Sequence, residues 1–348
     1  MANTQPQMMF PDGVYTVLVT PFVKCDEDTI KWSDLDQVIE WQIQSDVAGF
    51  VILGTTSEAP TLTDDEKKQM VKYVYSKVKG RKPIITGVGG NYTKATLNFA
   101  KFAAPYSNGL MVTVPHYNKP QQRGIVNHFV KIASDPVIQS KPIIIYNIPS
   151  RTCVNMIPES VIEVLKLCPN VVAIKEASGD LNQVSELITM VTKYTNRKIG
   201  ETFKVFAGDD SSLMNVCKMG GSGVISVGSN VIPEVIAKAT ELCLNKKYDE
   251  AEELMNAIID FTRVLFIESN PVPVKYLLHG LNLYESDLVR DPLCTFEDDS
   301  MKKLVQNEFT KIVSMVPLSF MTETEKQNRI VAKERADEEA MDSFCSFN

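Results

Sequence analysis

Short apolar runs recur along the chain at intervals of about 30 residues, each followed by a stretch with helical spacing. They are 15–20 (YTVLVT), 49–54 (GFVILG), 83–89 (PIITGVG), 109–115 (GLMVTVP), 142–148 (PIIIYNI), 171–177 (VVAIKEA), 203–209 (FKVFAGD) and 223–228 (GVISVG). Near-continuous apolar strands alternating with helices predict a parallel sheet covered on both faces. Eight such units within about 220 residues favour closure into a (β/α)8 TIM barrel over an open doubly wound sheet. Between the strands, Thr63 and Glu66 form a capping box opening a helix toward Val78, and Leu35, Val38, Ile39 and Ile43 keep helical spacing in an earlier one. Beyond Gly228 the pattern is helical alone, over 233–244, 248–266 and 273–281. The predicted organisation is an N-terminal arm over 1–12, the α/β barrel over 13–232, a C-terminal helical region over 233–316 and a charged tail over 317–348. The tail is poor in core residues, which predicts a frayed helix or a disordered extension.

Composition narrows the function. Of 348 residues, 44% are hydrophobic and 23% charged, as in a soluble globular protein. A net charge of −7 without a Lys/Arg stripe argues against nucleic acid and against an anionic membrane surface. The N-terminal residues lack the basic start and apolar run of a signal peptide, and no stretch is long enough to span a bilayer. The 7 cysteines are dispersed with no CxxC pair, which predicts reduced thiols and a cytoplasmic location. His116, His128 and His279 have no ligand spacing, so no metal site is expected.

In a barrel the reactive groups lie at the C-terminal ends of the strands. The sixth run ends Ile174-Lys175-Glu176, and alternation places Val171, Ala173, Lys175 and Ala177 on one face, with Val172, Ile174 and Glu176 on the other. A lysine among small apolar residues loses hydration, which disfavours its charged form, and a neutral amine is what attack on a carbonyl requires. The blander reading is a lysine that snorkels from the strand end or pairs with Glu176 or Asp180. Tyr146 shares a face with Ile144, where a phenol can shuttle a proton or be merely a packed aromatic. Arg151, just beyond, offers the planar fork that suits a carboxylate, or makes a surface salt bridge. Gly54-Thr55-Thr56-Ser57-Glu58 is a hydroxyl-rich turn that could cradle an anion, or simply precede a helix. The glycines at 220, 221 and 223 lack a P-loop pattern and make a weak phosphate site.

Together these residues resemble the dihydrodipicolinate synthase and N-acetylneuraminate lyase family of class I aldolase-like barrels, over nearly all of 13–293. The markers are the 54–58 turn, Tyr117-Asn118-Lys119-Pro120, Tyr146-Asn147-Ile148-Pro149, the 174–180 segment IKEASGD, Gly208-Asp209-Asp210 and Gly223-Val224-Ile225-Ser226. Asn270-Pro271 with Pro273-Val274-Lys275 matches the family's C-terminal helical region. The resemblance implies that Lys175 forms an imine with pyruvate and needs no cofactor. It implies a proton relay of Tyr146, Thr55 and Tyr117, the last reaching in from a neighbouring subunit of a homotetramer built as a dimer of dimers. Thr55 and Thr56 would hold the pyruvate carboxylate, and Gly208 and the Ile225 carbonyl would line the pocket. Arg151 and the paired threonines resemble the synthase branch, in which that arginine binds the carboxylate of aspartate semialdehyde. The implied product is 4-hydroxy-tetrahydrodipicolinate, on the route to diaminopimelate and lysine.

Three departures from the family pattern stand out. Ser57 replaces a usual glycine and could tighten the turn. His116 replaces a tyrosine before Tyr117. Asp64 and Lys67 stand where lysine-sensitive members carry histidines, which predicts weak or absent inhibition by lysine. Three other readings remain open at this stage: a sialic acid or 2-keto-3-deoxy acid lyase on the same imine chemistry, a catalytically inactive scaffold, and a phosphate-binding isomerase.

Overall fold

A computed structural model describes residues 10–24, 26–315 and 318. The expectations for 1–9 of the arm and for 317 and 319–348 of the tail lie outside the described residues. Eight strands form the wall: β1 Gly13–Val17, β2 Gly49–Ile52, β3 Ile84–Gly87, β4 Gly109–Thr113, β5 Ile143–Asn147, β6 Val171–Glu176, β7 Lys204–Ala207 and β8 Gly223–Ser226. Every pairing is parallel, neighbours in sequence are neighbours in space, and β8 closes on β1 through Gly13 opposite Gly223. This is the closed (β/α)8 barrel that the sequence pattern predicts.

Around it lie α1 Trp32–Gln44, α2 Asp64–Val78, α3 Thr93–Ala103, α4 Gln122–Ala133, α5 Pro149–Thr152, α6 Pro158–Leu167, α7 Leu181–Tyr194 and α8 Leu213–Lys218. The capping box at the start of α2 is present: Thr63 Oγ1 accepts from Glu66 N at 3.3 Å, and Glu66 Oε2 accepts from Thr63 N at 2.7 Å. The C-terminal region contributes α9 Pro233–Leu244, α10 Tyr248–Leu265, α11 Val272–Gly280 and α12 Asp299–Met315. Apolar periodicity does not announce α12, because it buries only Val305 and Ile312. It is held through Phe309, whose ring lies 6.1 Å from that of Phe261 on α10.

The barrel interior is filled by Tyr15, Val17, Val51, Ile85, Met111, Ile144, Tyr146, Ala173, Phe206 and Ile225. Phe10 joins them and plugs the base, so close that a Cβ on Gly109 would sit 2.2 Å from its ring. The outward residues of the same strands pack against the helices, as period-2 alternation requires.

Two details differ from expectation. The first strand covers 13–17 rather than 15–20, because the chain leaves the wall toward Pro21, which has no N–H for a ladder. It then forms a small antiparallel hairpin, Phe22–Val23 with Asp26–Ile30. In β6 the alternation fails at its start: Ile143 pairs with Val171 but Ile144 pairs with Ala173, so Val172 is an extra residue in a bulge. Val171 therefore faces the helices while Val172 and Ala173 both reach the interior. From Ala173 onward the expected order holds, with Lys175 inward. Among the described residues no helix is long and apolar enough to cross a membrane.

Candidate active site

Lys175, Tyr146, the 54–58 turn, Gly208, Tyr117 and Arg151 lie at or just beyond the C-terminal ends of their strands, and Ile225 lies within β8, one residue before its end. Register places Tyr146 on β5 directly opposite Lys175 on β6. Both are 4% exposed, and Lys175 Nζ stands 4.4 Å from the centroid of the Tyr146 ring. Among the described residues no carboxylate pairs with this amine, so the expected alternative of a pairing with Glu176 or Asp180 is not found. Glu176 points to the helix side, where its oxygens accept from Ser178 N at 2.8 Å, from Asn147 Nδ2 and from Gln183 Nε2. Burial raises the Glu176 carboxyl above the usual range, with those hydrogen bonds opposing. Asp180 caps α7 instead, accepting from the backbone N–H groups of Asn182 and Gln183. The fold thus accounts for both nearby carboxylates without the lysine.

Ile225, opposite Tyr15 in the register of β8 and β1, is fully buried in the interior cluster that also holds Tyr146. Gly208 sits where β7 ends, its N–H donating to Glu176 O at 2.8 Å. A Cβ there would come within 2.3 Å of Ala177 Cβ, so only glycine lets the two strand ends approach this closely.

The 54–58 turn follows β2. A Cβ on Gly54 would press on Val17 and approach Val51 and Met111, which puts the turn's first residue against the interior packing. Thr55 is partly exposed, whereas Thr56, Ser57 and Glu58 are buried. Ser57 donates through Oγ to Leu18 O at 2.6 Å, and Thr20 Oγ1 donates to Ser57 O at 2.7 Å. The serine that replaces a usual glycine therefore ties the turn to the end of β1. Glu58 adopts a left-handed φ of 54° and turns its carboxylate away from the barrel mouth, to Lys275 Nζ at 2.5 Å and Arg290 N at 3.0 Å.

The rim residues behave differently. Tyr117 is 85% exposed at a left-handed φ of 65°, its N–H donating to Thr152 O at 3.3 Å. It is not packed into the pocket of its own chain. Arg151, on α5, is exposed, and no ion pair engages it among the described residues. The structure thus brings Lys175 and Tyr146 together, buries Ile225 in the barrel interior, holds Thr55, Thr56 and Gly208 at the C-terminal ends of the strands, and leaves Arg151 and Tyr117 exposed.

A sequence model of the Dihydrodipicolinate synthetase family matches residues 10–310. The chain belongs to that family. Curated relatives named 4-hydroxy-tetrahydrodipicolinate synthase include that of Clostridium tetani (strain Massachusetts / E88), 36% identical over 293 residues, spanning 84% of this chain and 95% of that one. Another, from Thermoanaerobacter sp. (strain X514), is 38% identical over 293 residues, with 84% and 94% covered. Among solved structures, the dihydrodipicolinate synthase of Aquifex aeolicus superposes with a TM-score of 0.78 at 33% identity, covering 88% of this chain and 98% of the other.

For this member of the dihydrodipicolinate synthetase family, residue-by-residue reading assigned no site role to the C-terminal region. Yet α11 and the residue pair before it reach the turn. Asn270 Nδ2 donates to Thr56 Oγ1 at 3.0 Å, and Lys275 pairs with Glu58. The available signal was a lysine set among Val274, Tyr276, Leu277 and Leu278, a run that buries a charge and so demands a partner.

Proposed function

We propose that this chain condenses pyruvate with L-aspartate 4-semialdehyde to give 4-hydroxy-tetrahydrodipicolinate, through an imine on Lys175. The observation that carries the reading is a lysine buried at the C-terminal mouth of a barrel, over a tyrosine ring and without a carboxylate partner among the described residues. Family membership and the names of the relatives support the same reaction.

In this reading the Lys175 amine attacks the keto carbon of pyruvate, and the carbonyl oxygen leaves as water. Tyr146 carries protons to and from the carbinolamine. Thr55 relays them and, with Thr56, holds the pyruvate carboxylate, while the Ile225 carbonyl and Gly208 line the pocket. The imine loses a methyl proton to become an enamine, whose carbon attacks the aldehyde of the semialdehyde. Arg151, exposed and without an ion pair among the described residues, clamps the second carboxylate at the rim with its planar fork. The amine of the semialdehyde then displaces Lys175 as the ring closes. No metal or organic cofactor is required.

Tyr117 completes the relay from a neighbouring subunit, which its exposure in the single chain supports, so the active form is at least a dimer and by family resemblance a cytoplasmic homotetramer. Lys67, whose amine lies 3.8 Å from Asp64, sets a cation where a lysine effector would bind. Inhibition by lysine is therefore weak, and strong inhibition at submillimolar lysine would contradict this.

The test is borohydride reduction with pyruvate followed by peptide mass mapping. An adduct on the Lys175 peptide is expected, and folded protein without adduct overturns the reading. Turnover of pyruvate with aspartate semialdehyde, against a panel of keto acids cleaved by lyases, tests the acceptor. Arg151→Ala should damage synthase turnover while leaving pyruvate imine formation largely intact.

A further inference from the structure

The hydroxyl of Thr56 is held by a residue of the C-terminal region, not of the barrel. Thr56 is 1% exposed and Asn270 is 5% exposed, so their hydrogen bond, Nδ2 to Oγ1 at 3.0 Å, is shielded from water. A threonine hydroxyl has one hydrogen to give and two lone pairs to offer. Asn270 occupies one lone pair. Among the described residues the hydroxyl hydrogen goes to no protein acceptor, so it remains for whatever enters the turn. A donor bonded to the oxygen also polarises the O–H and strengthens the bond that it makes in turn.

Asn270 is itself incompletely satisfied. Its Oδ1 is buried with no hydrogen-bond partner among the described residues. A buried orphan acceptor is destabilising, and such groups occur where the side chain serves something other than stability. The amide is not free to drift, because α11 is fastened to the same turn a second time through Lys275 and Glu58, 0% and 1% exposed at their side chains.

We infer that Asn270 is a positioning residue for the carboxylate site: by donating to Thr56 Oγ1 it turns the threonine O–H toward the substrate's carboxylate. This rests on the reading of pyruvate as substrate. The amide takes no part in bond making, so its removal acts on pyruvate affinity before it acts on the chemical step.

The experiment compares Asn270→Ala, Asn270→Asp, Thr56→Val and the double variant Asn270→Ala/Thr56→Val, with pyruvate KM, semialdehyde KM, kcat and melting temperature as readouts. Asn270→Ala should raise pyruvate KM about tenfold with semialdehyde KM little changed. The double variant should be no worse than Thr56→Val alone, because the amide acts through that hydroxyl. Asn270→Asp keeps the shape but replaces the donor by an acceptor, which recaptures the hydroxyl hydrogen and repels the carboxylate. Its pyruvate KM should rise further than that of Asn270→Ala and recover as pH falls and the introduced carboxyl is protonated, a trend that a purely structural role would not produce. An unchanged pyruvate KM in folded Asn270→Ala, or effects that multiply in the double variant, overturn the inference. Should Asn270→Ala not fold, a pyruvate KM in Asn270→Asp that does not respond to pH overturns it instead. The wild-type imine trap separates the two levels: no Lys175 adduct sinks the substrate reading itself, whereas an adduct with insensitive Asn270 variants sinks only this inference.

Discussion

Two lysines in this molecule are buried almost alike and each faces an aromatic ring, yet among the described residues only one of the two is paired with a carboxylate. Lys175 is 4% exposed, 4.4 Å from the Tyr146 centroid at the barrel mouth. Lys275 is 0% exposed, 4.0 Å from the Phe22 centroid beneath the C-terminal helices. Around Lys275 the fold supplies two acceptors: Glu58 Oε1 at 2.5 Å and the Leu288 carbonyl at 2.5 Å. A second cation, Arg290, lies on the same phenyl ring at 4.5 Å and is held by Glu66. Burial lowers Lys275 to about 8, with Glu58 pulling it back up. Around Lys175 the nearest acids in sequence are turned elsewhere, Glu176 to the helix layer and Asp180 to the α7 N-terminus. Burial is common to both; among the described residues the presence or absence of a carboxylate separates them, which makes Lys275 a fastening lysine and Lys175 the candidate for chemistry.

Lys175→Ala breaks the contrast most sharply. Imine trapping should vanish and turnover should fall by at least about a thousandfold. The melting temperature should hold, since no ion pair is lost. Retained turnover, or a large loss of stability, would return Lys175 to the structural class. Lys275→Met should give the reverse. It strands the buried Glu58 carboxylate, so urea unfolding should register a loss of about 3–5 kcal/mol, while saturating pyruvate still labels Lys175. Adding Glu58→Gln should restore much of that stability, because no uncompensated charge then remains buried. A single variant as stable as wild type would show that the pair fastens nothing.

The contrast also marks how far the sequence could be read. Eight apolar runs predict the barrel because a parallel wall buried on both faces leaves a signal in every strand. Lys175 and Tyr146 are legible for the same reason: alternation from Ala173 and Ile144 points both inward. The Val172 bulge is not legible, since a run of valines offers no change of polarity to reveal an extra residue. The couplings of Asn270 to Thr56 and of Lys275 to Glu58 are invisible for another reason. They join positions more than 200 residues apart, and |i−j| is 214 for the first. Local pattern can state that a buried lysine needs an acid, not which acid the fold delivers.

A third buried base shows what burial does with no counter-charge and no chemistry. His128 is 3% exposed, its Nδ1 lies 2.9 Å from Thr93 Oγ1, and its Nε2 is buried with no partner among the described residues. Burial alone lowers it from 6.5 to about 4. Between those values the unfolded chain binds the proton and the folded chain does not, so stability falls as pH drops. The contribution is complete above pH 6.5 and, at about 1.4 kcal/mol per pH unit, about 3 kcal/mol of it is gone by pH 4. Urea unfolding across that window should show a steeper acid loss in wild type than in His128→Gln. Equal slopes would mean that the imidazole is solvated, and that burial without a counter-charge is not what distinguishes these sites.

The smallest effect tests the turn to which Lys275 is tied through Glu58. Ser57 gives its hydroxyl hydrogen to Leu18 O at 2.6 Å, joining the 54–58 turn to the end of β1, while Glu58 joins the same turn to Lys275. The two links are independent, one to the barrel wall and one to α11. Ser57→Ala removes only the first and leaves a buried carbonyl without its donor, so it should cost about 1 kcal/mol in urea unfolding. Pyruvate KM should rise by less than in Asn270→Ala, because the Thr56 hydroxyl keeps its amide partner. A larger change in KM than in stability would move the decisive anchor from the C-terminal helices to the barrel, and the asymmetry between the two lysine environments would then owe less to Lys275 than its pairing implies.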